Sequence, residues 1–248
     1  MEYSNGYVAF IDILGFSKYV SEESNGEIIN DLFDFVKKFQ YLFNYSPKLN
    51  VKVAFFSDSI VITTPKEESF QTLLVAIWIA ESYLHKNTGL YFRGGITKGL
   101  YYHKEDVAFG PAIVNAYRLE KRAIYSRILI DKEKIQMNEP ECLITKDFDG
   151  EYFFNPYFVS ILGNTPDGTD PTLADMFFSM RKERMHLCDA IKNNYCTAVI
   201  DKYLWRIIPF NKTCDFLPEI CQEYCLDYTN EDVEEWKALK IHISEFTN

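Results

Sequence analysis

The sequence contains no apolar run of the roughly 18 residues that a membrane-spanning helix requires, so no span is expected. It also lacks a basic surplus: 26 lysines and arginines face 36 aspartates and glutamates, for a formal net charge of −10. That balance excludes broad, nonspecific binding along a nucleic-acid backbone, which needs a positive surface. A small phosphate-binding pocket stays open, because local charge governs a site. No paired CxxC motif occurs among the six cysteines, Cys142, Cys188, Cys196, Cys214, Cys221 and Cys225, so a zinc signature is missing. Cys221 and Cys225 are spaced i, i+4 and would share a helix face; buried or half-buried thiols are the plainer reading. No targeting segment is expected ahead of the first strand-like run, and the protein is read as cytoplasmic with reduced thiols. Internal repeats and low-complexity segments are absent.

What is there is ordinary globular material. The 248 residues are 47% hydrophobic and 25% charged, and the aromatic share of 16% supports a substantial core. The length suits one large domain, or one domain with a smaller one appended. Residues 7–13 (YVAFIDI) form a short apolar, β-branched and aromatic run between Gly6 and Gly15, the pattern of a buried strand. From 27 to 43 the apolar residues Ile28, Ile29, Leu32, Phe35, Val36, Phe39, Leu42 and Phe43 recur at three- and four-residue intervals, which predicts a helix ended by Pro47. Residues 51–56 and 59–64 read as a tight hairpin around Ser57-Asp58, and 69–85 as a buried helix stopped by Gly89. Residues 91–102 read as a strand with Gly94, Gly95 and Gly99 inside it, positions better explained by backbone packing than by a phosphate cradle. A helix over 111–122 and strands over 127–130, 141–145 and 151–160 follow.

The element order β-α-β-β-α-β predicts an α+β fold with a ferredoxin-like or palm-type core. Residues 163–172 (GNTPDGTDPT) are the expected boundary, giving a domain over 1–162 and a helical C-terminal extension over 173–248 packed on it. Within the extension, Tyr203, Trp205 and Phe210 read as core aromatics and the acidic run 231–235 as a helix N-terminus. His103 and Lys104 are expected in a solvated polar loop.

Three segments carry chemistry together: Phe10-Ile11-Asp12-Ile13-Leu14-Gly15-Phe16-Ser17, Phe56-Ser57-Asp58-Ser59, and Gly110-Pro111-Ala112-Ile113-Val114-Asn115-Ala116-Tyr117-Arg118-Leu119-Glu120. An aspartate ending a central strand and another at a neighbouring hairpin tip can converge on one point. Two such carboxylates suit hard divalent cations, which prefer oxygen donors. Paired cations of this kind hold a triphosphate and activate an attacking hydroxyl. The plainer readings are a strand-end carboxylate at Asp12 and an Arg118 paired with Glu120 or Glu22 on a solvated helix face.

The ordered segments, together with Phe92-Arg93-Gly94-Gly95-Ile96 through Gly99 and with Arg127-Ile128-Leu129-Ile130, resemble the catalytic domain of class III nucleotidyl cyclases over about residues 7–160. The resemblance implies that Asp12 and Asp58 hold Mg²⁺ or Mn²⁺, with the Ile13 carbonyl as a further ligand. It implies a homodimer with composite active sites, the aspartates coming from one subunit and the helix with Asn115 and Arg118 from the other. Arg118 matches the arginine that stabilises charge on the transferring phosphate, and Lys146 a phosphate-contacting lysine. The implied reaction converts a nucleoside triphosphate to a 3′,5′-cyclic nucleotide, releasing pyrophosphate. The pattern departs from the family at four positions, the first being Ser57, which stands where the family's hairpin has glycine. Val114 stands where the family has asparagine, with Asn115 one residue later, about 100° around the helix. Ala54, four before Asp58, replaces the base-selecting Lys or Glu, and Val107 replaces the adenylate cyclases' Asp. Neither purine code is present, so the base is open and includes a pyrimidine, as in the cyclases of bacterial anti-phage signalling. Two other functions fit the same residues: a catalytically degenerate nucleotide-binding or regulatory dimer, and a palm-type nucleotidyltransferase that forms oligonucleotides.

Overall fold

β1 (Ser4–Ile13) presents two different faces, because successive side chains of a strand point to opposite sides. Val8, Phe10 and Asp12 lie on one, and Tyr7, Ala9, Ile11 and Ile13 on the other. The structure is a computed structural model that describes residues 2–16, 27–44, 50–68, 70–88, 90–136, 138–162, 171–192 and 197–246. Ser17, Glu22, Gly89, Cys196 and most of the expected boundary at 163–172 lie outside them.

The described residues divide into two compact units. The first comprises Met1–Asn138 and Lys146–Phe154, the second Glu139–Thr145 and Asn155–Asn248. In the first unit β1 pairs antiparallel with β3 (Ser59–Pro65) on one side and β4 (Phe92–Lys104) on the other, and β3 pairs antiparallel with β2 (Lys52–Phe56). The helices α1 (Glu27–Asn44) and α2 (Phe70–Thr88) complete the order β1-α1-β2-β3-α2-β4. The sheet order β2-β3-β1-β4 is that of the expected ferredoxin-like core, and the α+β reading holds.

Both helices cover the Tyr7 face. On α1, Phe35 stacks on Phe39 and Phe39 meets Phe43, at ring-centroid separations of 5.7 and 4.7 Å, while Phe55 of β2 meets Phe35 edge-on at 5.7 Å. Phe70 of α2 lies 5.3 Å from Tyr7. Burying each such side chain contributes about 1.5–3 kcal/mol, which is why the aromatic share of the composition goes into this layer.

α3 (Pro111–Arg122) covers the opposite face, where Ala112, Ile113 and Ala116 pack with Val8 of β1 and Tyr101 of β4. The approach is close because Gly95 has no side chain. A Cβ there would stand 2.3 Å from Leu119 Cβ and 2.6 Å from the Ala116 carbonyl oxygen. Packing was the expected use of these glycines, and Gly95 shows it. Gly110, which precedes the helix, has φ 134°, a conformation other residues rarely adopt.

Beyond the ferredoxin-like core, a short strand not foreseen from the sequence, β5 (Val107–Phe109), folds back on β4 as a hairpin. β6 (Ile128–Ile130) pairs in parallel with β4, and β7 (Ile144–Lys146) lies where the chain passes between the units. β8 (Tyr152–Phe154) pairs antiparallel with β6. The turn before β8 is pinned by Arg127, whose buried guanidinium pairs with Asp147 and Asp149.

The second unit is helical, as expected. The strand expected over 151–160 ends at Phe154, and α4 (Pro156–Leu162) replaces its second half. The reason is local. Pro156 suits the first position of a helix, and the Asn155 side chain accepts a hydrogen bond from the Tyr157 N–H, as a helix cap does. α5 (Leu173–Lys192), α6 (Thr197–Thr213), α7 (Leu217–Glu223) and α8 (Asn230–Lys237) follow. Tyr203, Trp205 and Phe210 are buried, and the acidic run starts α8 behind a capping box of Thr229 and Asp232. Asn155 Nδ2 donates to Cys142 O and Thr213 Oγ1, and Trp236 Nε1 donates to Thr213 O, so one buried polar knot ties three segments of this unit. Cys221 is buried, whereas Cys225 lies exposed beyond the end of α7 at φ 52°, so the two share no helix face. Among the described residues no helix is long and apolar enough to cross a membrane.

Candidate functional site

Asp12 lies at the end of β1, on the face that α3 covers, opposite Ser59 of β3 and Arg93 of β4. Asp58 is the second residue of the two-residue turn between β2 and β3. The Ile13 N–H donates to the Asp58 carbonyl oxygen at 2.9 Å, so the turn is fastened to the strand that carries Asp12. The two aspartates expected to act together are therefore neighbours, and the negative charge of Asp58 is felt at Asp12.

Asp12 sits in a charged cluster. Arg93 Nη2 donates to Asp12 Oδ2 at 2.8 Å and lies 2.7 Å from Glu120 Oε1. Glu120 comes from the last turns of α3, and its side chain is 0% exposed, against 18% for Asp12 and 23% for Arg93. Burial pushes the Asp12 carboxyl above its ordinary value; the Arg93 guanidinium pulls it back, and the charges of Glu120 and Asp58 push it further up. The donors suit a hard divalent cation: two neighbouring carboxylates that repel each other, with the Ile13 carbonyl as the expected third oxygen. Among the described residues no group of three or more metal-ligating side chains is assembled, so a cation here would complete its shell from main chain, water or substrate.

Asn115 and Arg118 lie elsewhere. They line a cleft of about 250 Å³ together with Arg122, Asp131, Lys132 and Lys134, and neither aspartate borders it. Asn115, not Val114, shares this cleft with Arg118, while Val114 is exposed outside it. Asp131 is held by Thr97 Oγ1 at 2.6 Å, and Arg122 pairs with Glu151. Glu120, weighed above as a partner for Arg118, is paired with Arg93 and with Lys121 instead. Ala54 is buried on β2, Val107 is exposed on β5, and Lys146 is exposed on β7.

The sequence reading missed two things here. Arg93 and Glu120 were visible as letters of the motifs, but 27 positions separate them and no local periodicity joins them. His103, expected in solvent, is buried: its Nδ1 lies 2.7 Å from Thr63 Oγ1, and Lys52 Nζ donates to its carbonyl oxygen at 3.0 Å. The correction has a simple cause. β4 runs on to Lys104 before turning into β5, so His103 belongs to a strand and not to a loop.

Fold and site thus define an α+β domain whose sheet ends in a pair of neighbouring carboxylates. No family model matches the sequence, and no curated protein matches it. Among solved structures, the chain is similar to a class III adenylyl cyclase-like ATP-binding protein from Pseudomonas aeruginosa, at 14% identity and a TM-score of 0.42, over 52% of this chain and 34% of that one. It is similar to the catalytic core of a rhodopsin-guanylyl cyclase with converted specificity in complex with ATPαS, at 16% identity and a TM-score of 0.45, over 62% of this chain and 96% of that one. It is also similar to a bacterial light-regulated adenylyl cyclase, at 15% identity and a TM-score of 0.46, over 72% and 57%. At such identity the likeness concerns the backbone, not the chemistry.

Proposed function

We propose that this chain is a metal-dependent nucleotidyl cyclase that converts a nucleoside triphosphate to a 3′,5′-cyclic nucleotide and pyrophosphate as a homodimer, its base unassigned and its setting bacterial signalling or anti-phage defence. The observation that carries the reading is the adjacency of Asp12 and Asp58 at one end of the sheet, in a chain that also carries the ordered cyclase-like motifs. Asp12 and Asp58, with the Ile13 carbonyl, would hold Mg²⁺ or Mn²⁺, whose chemistry there is to offset triphosphate charge and favour ionisation of the ribose 3′-hydroxyl. Arg93 orients Asp12 by its hydrogen bond to Oδ2. Arg118, planar and permanently charged, stabilises charge on the α-phosphate during transfer, Asn115 orients the ribose, and Lys146 contacts the phosphates. Ala54 and Val107 border the base without a charge to read it.

The separation of the Asn115–Arg118 cleft from the aspartates supports composite sites shared by two copies. So do the exposed apolar side chains of Leu100, Val107, Phe109, Val114 and Tyr117 on β4, β5 and α3, a grouping that favours a partner surface. The test is incubation of the protein with Mn²⁺ and each of ATP, GTP, CTP and UTP, with products read by mass spectrometry beside Asp58→Ala. A cyclic mononucleotide from one substrate, absent with the variant, is the expected result. The apolar residues at both base-selecting positions favour one other reading, a degenerate nucleotide-binding or regulatory dimer, which would bind nucleotide and release no product. Linear or larger cyclic products would instead mark an oligonucleotide-forming transferase.

A further inference from the structure

One guanidinium nitrogen serves two carboxylates at the sheet end: Arg93 Nη2 stands 2.8 Å from Asp12 Oδ2 and 2.7 Å from Glu120 Oε1. Glu120 is the more deeply buried of the two acids. Glu120 has no exposed surface, and its two oxygens are partnered by Arg93 Nη2 on one side and by Lys121 Nζ at 3.2 Å on the other. Close packing of α3 on β4 at Gly95 keeps Glu120 where it is.

We infer that Glu120 is a positioning residue for divalent-cation binding: by drawing the Arg93 guanidinium toward itself, it keeps the Asp12 carboxylate available to a metal ion. The inference rests on the reading of Asp12 and Asp58 as a cation site. Without Glu120 the whole guanidinium charge falls to Asp12, and an arriving cation must displace a half-buried ion pair. With Glu120 in place the trio carries one net negative charge, and Asp12 holds only a share of the arginine. Lys121 acts in the opposite sense. It competes with Arg93 for Glu120, so it leaves more of the arginine to Asp12.

The test is Mn²⁺ binding by the full chain without nucleotide, followed by the electron paramagnetic resonance signal of the free ion. Glu120→Gln keeps the shape and removes the charge, and it is expected to weaken Mn²⁺ binding on the order of tenfold, the effect of one charge at this range in half-buried surroundings. In an Arg93→Gln background the same change is expected to have little further effect, because the guanidinium through which Glu120 acts on Asp12 is gone. Lys121→Gln, at an exposed position, is expected to tighten binding roughly two- to threefold. Unchanged affinity in Glu120→Gln, or an equal loss in both backgrounds, overturns the inference. If circular dichroism shows Glu120→Gln to be unfolded, Lys121→Gln decides, and unchanged affinity there overturns it. Failure of the underlying cation site looks different: the natural chain binds no Mn²⁺, or Asp58→Ala binds it equally well.

Discussion

Ser57 carries a φ of 56° at the first position of the two-residue turn that presents Asp58. Hairpins of this length favour glycine where φ is positive. Ser57→Gly should therefore stabilise the fold by up to about 1 kcal/mol, read from the midpoint of urea unfolding, with the position of Asp58 unchanged. His103 makes a separate prediction. Burial pushes its imidazole down to about 4, and the Lys52 charge adds to the push. Between pH 6.5 and 4 the unfolded chain takes up a proton that the folded chain refuses. Stability is thus highest above pH 6.5 and falls as pH drops toward 4, by roughly 3 kcal/mol across the window. In His103→Gln that part of the pH dependence should vanish from a series of thermal melts. At this scale Asp12 and Asp58 were legible, since each sits in a short motif next to a strand end. Arg93 paired with Glu120, and Thr63 with His103, were not, because a pairing across strands leaves no local mark.

The elements most exposed to a single change are β4 and α3. A methyl group at position 95 would strike Leu119 and the Ala116 carbonyl. Gly95→Ala should cost about 1–3 kcal/mol by pushing α3 off the sheet, with unfolding in urea as the measure. It should also loosen the Arg93–Glu120 pair, since those residues ride on the two elements forced apart. The strands and helices with strong periodicity were legible, β1 through β4 and α3 above all. Weak signals were not: β5 has three residues, too few to show alternation, and α4 was masked by an aromatic run that suits a strand equally well. Asn155-Pro156 was the available clue, as a cap followed by a first-turn proline.

At the scale of the whole molecule the two halves of the proposed site lie apart within one chain, and the proposed homodimer would bring them together across two copies. Asp12→Ala and Arg118→Ala should each abolish turnover alone. Mixed in equal amounts and allowed to exchange subunits, they should recover roughly a quarter of the natural activity. Half of the dimers are then mixed, and each mixed dimer has one site carrying both changes and one carrying neither. A mixture that stays inactive would place the aspartates and the arginine of one site on the same chain.

By itself the sequence determined the element order, the α+β class, the two aspartates at neighbouring strand ends and the burial of the aromatic core. These follow from periodicity, turn residues and motif spacing, all of which act over a few residues. The tertiary structure decided which charges meet: that Arg93 stands between Asp12 and Glu120, that Asn115 and not Val114 faces the Arg118 cleft, and that His103 is buried against Thr63. Those outcomes depend on strand register, helix rotation and the close contact at Gly95. Such quantities arise only when distant segments pack together, and residues close in sequence carry no record of them.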